Sequence, residues 1–335
     1  MKKILITGAA GCVGRQLVEK LLAETEHHIF ATDVKPNPFQ SQPEQNALRL
    51  EYLSLDIRDN TFTDWVIERK PDVVIHLASI LQISERMPRE TAYEIDVVGT
   101  ERLLAACITA KVSKIIVTTS GAAYGYYPSN KEIITEQRPT SGNADYFYSA
   151  HKAAVEVLMR RYRGIHPELE QIVFRPGAIL GPDFEGPVVN LFQQKAITGL
   201  MGYPGPFNFI WSEDVVDYLI EGAQSNITGQ FNIAGDGTMS MKEIADYLQK
   251  RYIALPAWLV QGVLAIAKPL GLSQYGPEQV KFIKFRPVLS NEKLKRHFQH
   301  QPRYNSRQTL DAFLASQQNT SSPLPSSAIQ ENSHA

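Results

Sequence analysis

Apolar positions along this chain follow two spacings in alternation. Short, nearly continuous apolar runs lie at 4–6, 28–32, 48–53, 72–79 and 114–119. Between them, apolar residues recur every three or four positions at 15–23, 61–69 and 92–110, and again at 146–162. The first kind reads as strands buried on both faces, the second as amphipathic helices. Their alternation predicts an α/β fold: a Rossmann-type, doubly wound parallel sheet with helices on both faces. The helix at 146–162 is Ala-rich, with Asn143 or Asp145 as its cap.

After Pro176 the pattern loosens. Loops are predicted at 181–187 and 202–207, with a helix at 188–197 between them. Terminal helices are expected at 275–286 and 291–298. The reading is a nucleotide-binding domain over 1–175 and a smaller, mostly helical substrate lobe over 176–315, partly interleaved with the sheet. Residues 316–335 are rich in Ser, Gln, Asn and Pro and are expected to be disordered. The longest apolar region, 253–272, is interrupted by Pro256, Gln261, Lys268 and Pro269. It is too short to span a bilayer. A packed helix is expected there, with a membrane-surface helix as the other reading.

Composition narrows the partners. The 335 residues carry a net charge of −1. That gives no reason to expect nucleic acid or an anionic membrane as partner. Two cysteines, Cys12 and Cys107, imply no disulfide framework and suit a reducing, cytoplasmic setting. Neither has a Cys or His neighbour in a zinc spacing, so no metal is expected. Met1-Lys2-Lys3 before an apolar stretch and Cys12 could suggest a lipid-anchor signal. The stretch is shorter than the roughly 7 to 15 residues of such a core and is broken by glycines.

The candidate chemistry begins where the first strand meets a glycine-rich turn. Gly8, Gly11 and Gly14 are spaced for a tight turn, close approach to a pyrophosphate and a helix packed on its strand. The helix N-terminus would offer free N–H groups to the phosphates. Asp33 follows Gly14 by 19 residues, where a carboxylate can accept from both hydroxyls of an adenine ribose. Tyr148 and Lys152, four apart on a helix, share a face. An ammonium held near a phenol favours the phenolate, so this pair can move a proton to or from an alcohol. Tyr127 and Lys131 have the same spacing, but Pro128 puts them in a turn. His76 reads as a core histidine.

These residues, with Asp56-Ile57, His76-Leu77-Ala78, Gly99-Thr100, Ser120, Tyr124-Gly125 and Arg175-Pro176-Gly177, resemble the extended short-chain dehydrogenase/reductase superfamily, specifically its NAD-dependent epimerase/dehydratase branch. The first half matches strongly. The second matches in outline at 209–219, 231–235 and 240–248. The resemblance implies NAD as cofactor, Tyr148 as acid/base, Lys152 on the nicotinamide ribose, and Ser120 on the reacting oxygen. It implies a cofactor site from Gly8, Ala10, Gly11, Cys12, Val13, Gly14, Asp33, Asp56, Ile57, Leu77, Ala78, Ser79, Asp96, Tyr148, Lys152, Pro176, Gly177 and Ile179. It also implies a homodimer through the helices at 92–110 and 146–162.

Departures shape the functional reading. Asp96 stands where such proteins usually carry Asn. Gly121 and Ala122 stand where dehydratases carry acids, which argues against dehydration. The apolar run at 208–212 replaces an Arg-containing stretch of sugar-nucleotide enzymes, suiting a less charged substrate or the core. The leading expectation is an NAD-dependent oxidoreductase acting on a secondary alcohol or ketone, with a small molecule as its partner. The alternatives are a nucleotide-sugar epimerase that retains NAD, and a non-catalytic dinucleotide sensor.

Overall fold

The computed structural model describes residues 1–83, 87–273 and 276–320. Its strands are β1 (Lys3–Thr7), β2 (His28–Asp33), β3 (Leu50–Ser54), β4 (Val73–His76), β5 (Lys114–Thr118), β6 (Glu170–Pro176), β7 (Ala178–Leu180), β8 (Ala196–Leu200), β9 (Phe209–Trp211), β10 (Gly229–Ile233) and β11 (Arg251–Leu255). Its helices are α1 (Cys12–Glu24), α2 (Glu44–Ala47), α3 (Asn60–Arg69), α4 (Arg89–Tyr93), α5 (Gly99–Ala110), α6 (Phe147–Ile165), α7 (Pro187–Gln193), α8 (Ser212–Gln224), α9 (Met241–Tyr247), α10 (Ala257–Ala267), α11 (Gln279–Lys284), α12 (Glu292–His297) and α13 (Ser306–Thr320).

Seven strands form one parallel sheet in the order β10-β6-β5-β4-β1-β2-β3. Side chains alternate across it, as strand geometry requires. Ile4 and Ile6 join Leu17, Leu21, Val216 and Leu219 on the face covered by α1 and α8. Leu5 joins Phe62, Leu103, Leu104 and Val155 on the face covered by α3, α5 and α6. The strand order reverses between β1 and β4. In a doubly wound sheet that reversal opens a crevice at the carboxyl ends of the strands.

A separate apolar cluster sits beyond that crevice, built from Phe192, Ile197, Phe207, Phe209, Trp211, Met241, Ile244 and Phe313. Phe209 and Trp211 are therefore core residues, which decides between the two readings of 208–212. Pairs β7–β9 and β8–β11 form two short sheets in this region.

Several local expectations are corrected. The helix predicted at 188–197 ends at Gln193, and Ala196 begins β8. Lys250 Nζ donates to the carbonyls of Phe192 and Gln194, closing α7 from a distant point in the sequence. The helix predicted at 92–110 contains a π-helical turn, Glu94–Val98, between α4 and α5. The packed helix expected at 253–272 is instead β11 followed by α10. Pro256 lies at the N-cap of α10, since proline suits a helix start and not its interior. No residue of α10 is buried. Neither Asn143 nor Asp145 caps α6: Asn143 accepts from the Tyr126 N–H, and Asp145 pairs with Lys281. The helix expected at 275–286 is ordered as α11 over Gln279–Lys284, and residue 275 lies outside the described residues. Of the tail expected to be disordered, 316–320 continue α13, and 321–335 lie outside the described residues.

Candidate active site

The glycine-rich turn has the tight packing its spacing demands. Gly8 adopts a φ of +70°, and a Cβ there would meet Ala78 N at 2.6 Å. A Cβ on Gly14 would lie 2.2 Å from the Gly8 carbonyl oxygen. The backbone after β4 thus excludes a side chain at Gly8, and the close approach of α1 to the turn excludes one at Gly14. Helix α1 starts at Cys12 with no side-chain cap, leaving its first-turn N–H groups facing an anion site. Asp33 ends β2 beside this turn: its Oδ2 accepts from Ala10 N at 3.1 Å and its Oδ1 from Lys35 N at 3.1 Å. A turn that only glycine can make, an uncapped helix start and a carboxylate at the next strand end fit a dinucleotide with an unphosphorylated ribose.

Other expected cofactor residues sit differently. The Asp56 carboxylate is held by Arg58 at 2.6 Å, which keeps its pKa below the usual range. Ile57 is a core side chain packed against Gly99, where a Cβ would reach Ile57 Cδ1 at 2.7 Å. Asp96 is buried by the π-helical turn. It accepts from Ser79 Oγ at 2.9 Å and Ile80 N at 2.8 Å, and pairs with His151 Nδ1 at 2.9 Å. It positions the segment after β4 and is absent from the cavity wall. His76 is a core histidine bridging Thr7 and Thr100 at 2.7 and 2.9 Å. Burial, with Lys152 adding, lowers its pKa to about 3.

A cavity of about 830 Å³ opens at the crevice. Val13, Leu77, Ser79, Pro176, Gly177 and Ile179 line its cofactor side. Ser120, Tyr148 and Lys152 line the same cavity. Ser120 lies close enough to the Tyr148 phenol to act on its proton affinity, lowering it. Lys152 Nζ donates to the Thr118 carbonyl at 3.2 Å and lies 5.6 Å from the centroid of the Tyr148 ring. The two share a face of α6, as their spacing predicts. Their protonation differs from the expectation. Burial pushes the Tyr148 pKa up to about 12, only partly opposed by the neighbouring Ser120. Burial also lowers the Lys152 pKa. Desolvation of the site outweighs any help from the ammonium.

The far side of the cavity is mainly apolar, with Leu81, Val188, Leu191, Phe207, Met241, Leu264, Phe282, Ile283 and Leu289 beside the polar Glu185, Asn190, Asn208 and Gln279. Tyr126 and Tyr146 pack on Phe282 at 4.6 and 4.1 Å between ring centroids. A second basic residue, besides Lys152, lines the cavity. Arg286 stacks on Phe207 at 3.7 Å, and its Nε is buried without a hydrogen-bond partner. Sequence reading missed Arg286, Tyr126 and Phe282, because no local pattern distinguishes them from core or surface residues.

A polar network braces the site from behind. Arg175 Nε donates to Glu156 at 2.7 Å and Arg175 NH1 to the Tyr124 hydroxyl at 2.8 Å. Tyr124 in turn donates to Asn232 at 2.8 Å, and Thr119 donates to Glu156 at 2.9 Å. Elsewhere, Asp214, Asp217 and His300 converge in a metal-like cluster. Arg303 and Lys20 neutralise those carboxylates at 2.5 Å.

The comparisons with known proteins agree with this geometry. The chain is 28% identical over 256 residues to a UDP-glucose 4-epimerase of Mycolicibacterium smegmatis, covering 72% of this chain and 80% of that protein. It is 28% identical over 283 residues to a sterol demethylase protein B of Methylococcus capsulatus, covering 79% and 81%. The fold matches WbmG of Bordetella bronchiseptica, solved with NAD and UDP, at a TM-score of 0.70, 19% identity and 94% coverage of each chain. It matches UDP-glucose 4-epimerase of Thermotoga maritima at a TM-score of 0.73 and 18% identity, covering 95% of this chain and 99% of that one. The profile of the NAD dependent epimerase/dehydratase family matches residues 4–234. With that match over more than half of its length, the chain belongs to the NAD dependent epimerase/dehydratase family of enzymes.

Proposed function

We propose that this enzyme interconverts a secondary alcohol on a largely apolar skeleton and its ketone, using NAD. The carrying observation is the cavity wall: beyond Tyr148 and Ser120 it is mainly apolar, with Glu185, Asn190, Gln194, Asn208, Gln279 and Arg286 as polar members. Apolar walls bind by excluding water, with a few polar groups fixing orientation. NAD supplies the hydride acceptor or donor when bound. Ser120 is placed to orient the reacting oxygen. Tyr148 holds the proton. With a pKa raised to about 12, its phenol stays protonated near neutral pH, ready to donate to a carbonyl oxygen. Oxidation of the alcohol needs the phenolate, so its rate should climb as pH rises. Lys152, fixed on the Thr118 carbonyl, orients the tyrosine side of the site. The two relatives quoted above carry names from opposite substrate classes, a sterol and a sugar nucleotide. The apolar wall sides with the first.

One observation favours a second reading. Arg286 brings a buried cation with an unpartnered Nε to the cavity, which suits a phosphate. A nucleotide-sugar epimerase would use it so. The test is to supply NAD with a panel of lipophilic secondary alcohols and, separately, with UDP-sugars. NADH formation with the alcohols supports the oxidoreductase. Sugar inversion by NMR without net NADH would replace it with the epimerase.

A further inference from the structure

We propose that α10 seats this enzyme on a lipid bilayer, and that its substrate passes from the bilayer into the catalytic cavity along that helix. The sequence of α10, AWLVQGVLAIA, holds no charged residue, and none of it is buried. Trp258 is 72% exposed and Ile266 65%. Val263, Leu270, Leu272 and the neighbouring Met201 are also exposed. Met201 joins this patch because its N–H donates to the Leu255 carbonyl at 2.9 Å, just before α10. A contiguous apolar surface of this kind marks an interaction site.

Two features select a bilayer as the occupant. The first is charge. Residues 247–277 contain no Asp or Glu; Lys250 is turned to the Phe192 and Gln194 carbonyls, which leaves Arg251 and Lys268 as the cations flanking the apolar helix, one at each end. Basic residues beside an apolar insert suit anionic headgroups, although Lys268 also holds Glu278 at 2.6 Å. Trp258, in the first turn, is the residue type that settles at the headgroup level. The second is continuity. Leu264, on the less exposed side of α10, lines the same cavity as Tyr148 and Lys152. The outer side of the helix would touch lipid while its inner side walls the reaction chamber. Among the described residues no helix is long and apolar enough to cross a membrane, so the contact is a surface seat. The substrate route rests on the proposed apolar alcohol; the seat itself does not.

The test uses the full chain with NAD and vesicles of phosphatidylcholine, alone or mixed with phosphatidylglycerol. Trp65 and Trp211 are buried, so a vesicle-dependent blue shift in tryptophan emission reports Trp258. Cosedimentation with a blue shift is expected, stronger with phosphatidylglycerol and weakened by salt. The double variant V263D/I266D should lower partition at least about tenfold while keeping NAD affinity and the melting temperature. Should that pair fail to fold, Trp258→Glu followed by cosedimentation takes its place. Wild type left in solution with both vesicles overturns the proposal, as does unchanged binding by the variants. A dimer that the double variant splits, with no vesicle binding, assigns the patch to a second copy of the chain and also overturns it. If vesicles bind but the alcohol panel fails, the seat stands and the substrate reading falls. If alcohols react but vesicles do not bind, the reverse holds.

Discussion

Helices α6 and α10 line one cavity under opposite rules. Helix α6 buries titratable side chains: His151, Lys152 and Glu156 are all removed from water. Each is matched, His151 by Asp96, Lys152 by the Thr118 carbonyl and Glu156 by Arg175 and Thr119. Helix α10 exposes apolar side chains that the described residues do not bury. Buried charge survives only with partners, so α6 has one permitted arrangement and can hold a proton at a fixed atom. Exposed apolar surface costs the fold little and is kept available for an outside partner. On the two proposals above, chemistry and substrate supply occupy two helices that can be altered separately.

Breaking the α6 side should have the largest effects. Tyr148→Phe removes the proton carrier, and turnover should fall by about 10²- to 10⁴-fold with NAD affinity retained. Unchanged turnover, measured by NADH absorbance, would remove Tyr148 from the chemistry. Arg175→Met leaves Glu156 buried without its cation, and urea denaturation should show a loss of about 3–5 kcal/mol. At the cofactor end, Asp33 should disfavour a ribose phosphate by roughly 1–4 kcal/mol, for like charges about 4 Å apart. The resulting preference for NAD, several-fold to nearly a thousandfold, should shrink in Asp33→Ala. Arg15 and Lys35 lie near enough in sequence to offset part of it. Titrating both cofactors onto both proteins checks this, and tighter binding of the phosphorylated form by wild type would contradict it.

Acid should act through His76. The folded protein holds its ring neutral, with a pKa lowered from 6.5 to about 3 by burial and by Lys152. Above 6.5 this stability is fully present. As pH falls from 6.5 towards 3, the unfolded chain takes up a proton that the folded chain refuses, and stability is lost across that window. His76→Gln should flatten this part of the curve in denaturation series run at stepped pH. The smallest effect belongs to α10: Val263→Asp should change stability by no more than about 0.5 kcal/mol, since the site is exposed. A larger loss would mean that α10 packs after all, and the contrast between the helices would fail.

The two sides also differed in how far sequence could carry them. Strand β1, the glycine turn and α1 were legible because a tight turn admits few residue types and leaves its spacing behind. Placing Tyr148 and Lys152 together needed only helical periodicity. Their proton affinities were not legible, since these depend on how much water the whole lobe excludes. The Tyr127–Lys131 spacing failed because Tyr127 turns to the Gly142 carbonyl instead. The helix read at 188–197 ran two residues into β8, and the strand itself went unread, because its partner β11 lies far along the chain and pairing at that distance leaves no local trace. Arg286 reaches the cavity only through the packing of α11 and the segment after it.

The sheet order has a consequence for how the chain is made. Strand β6, buried along nearly its whole length with Ile172, Val173 and Phe174 at its middle, is closed on its outer edge by β10. During synthesis about 50 residues separate the two, several seconds of elongation at ordinary rates. Throughout that interval the nascent sheet would present an open edge to the ribosome surface. Stalled or truncated products ending before Gly229 should therefore aggregate or be held by chaperones, whereas chains extended past Ile233 should be released.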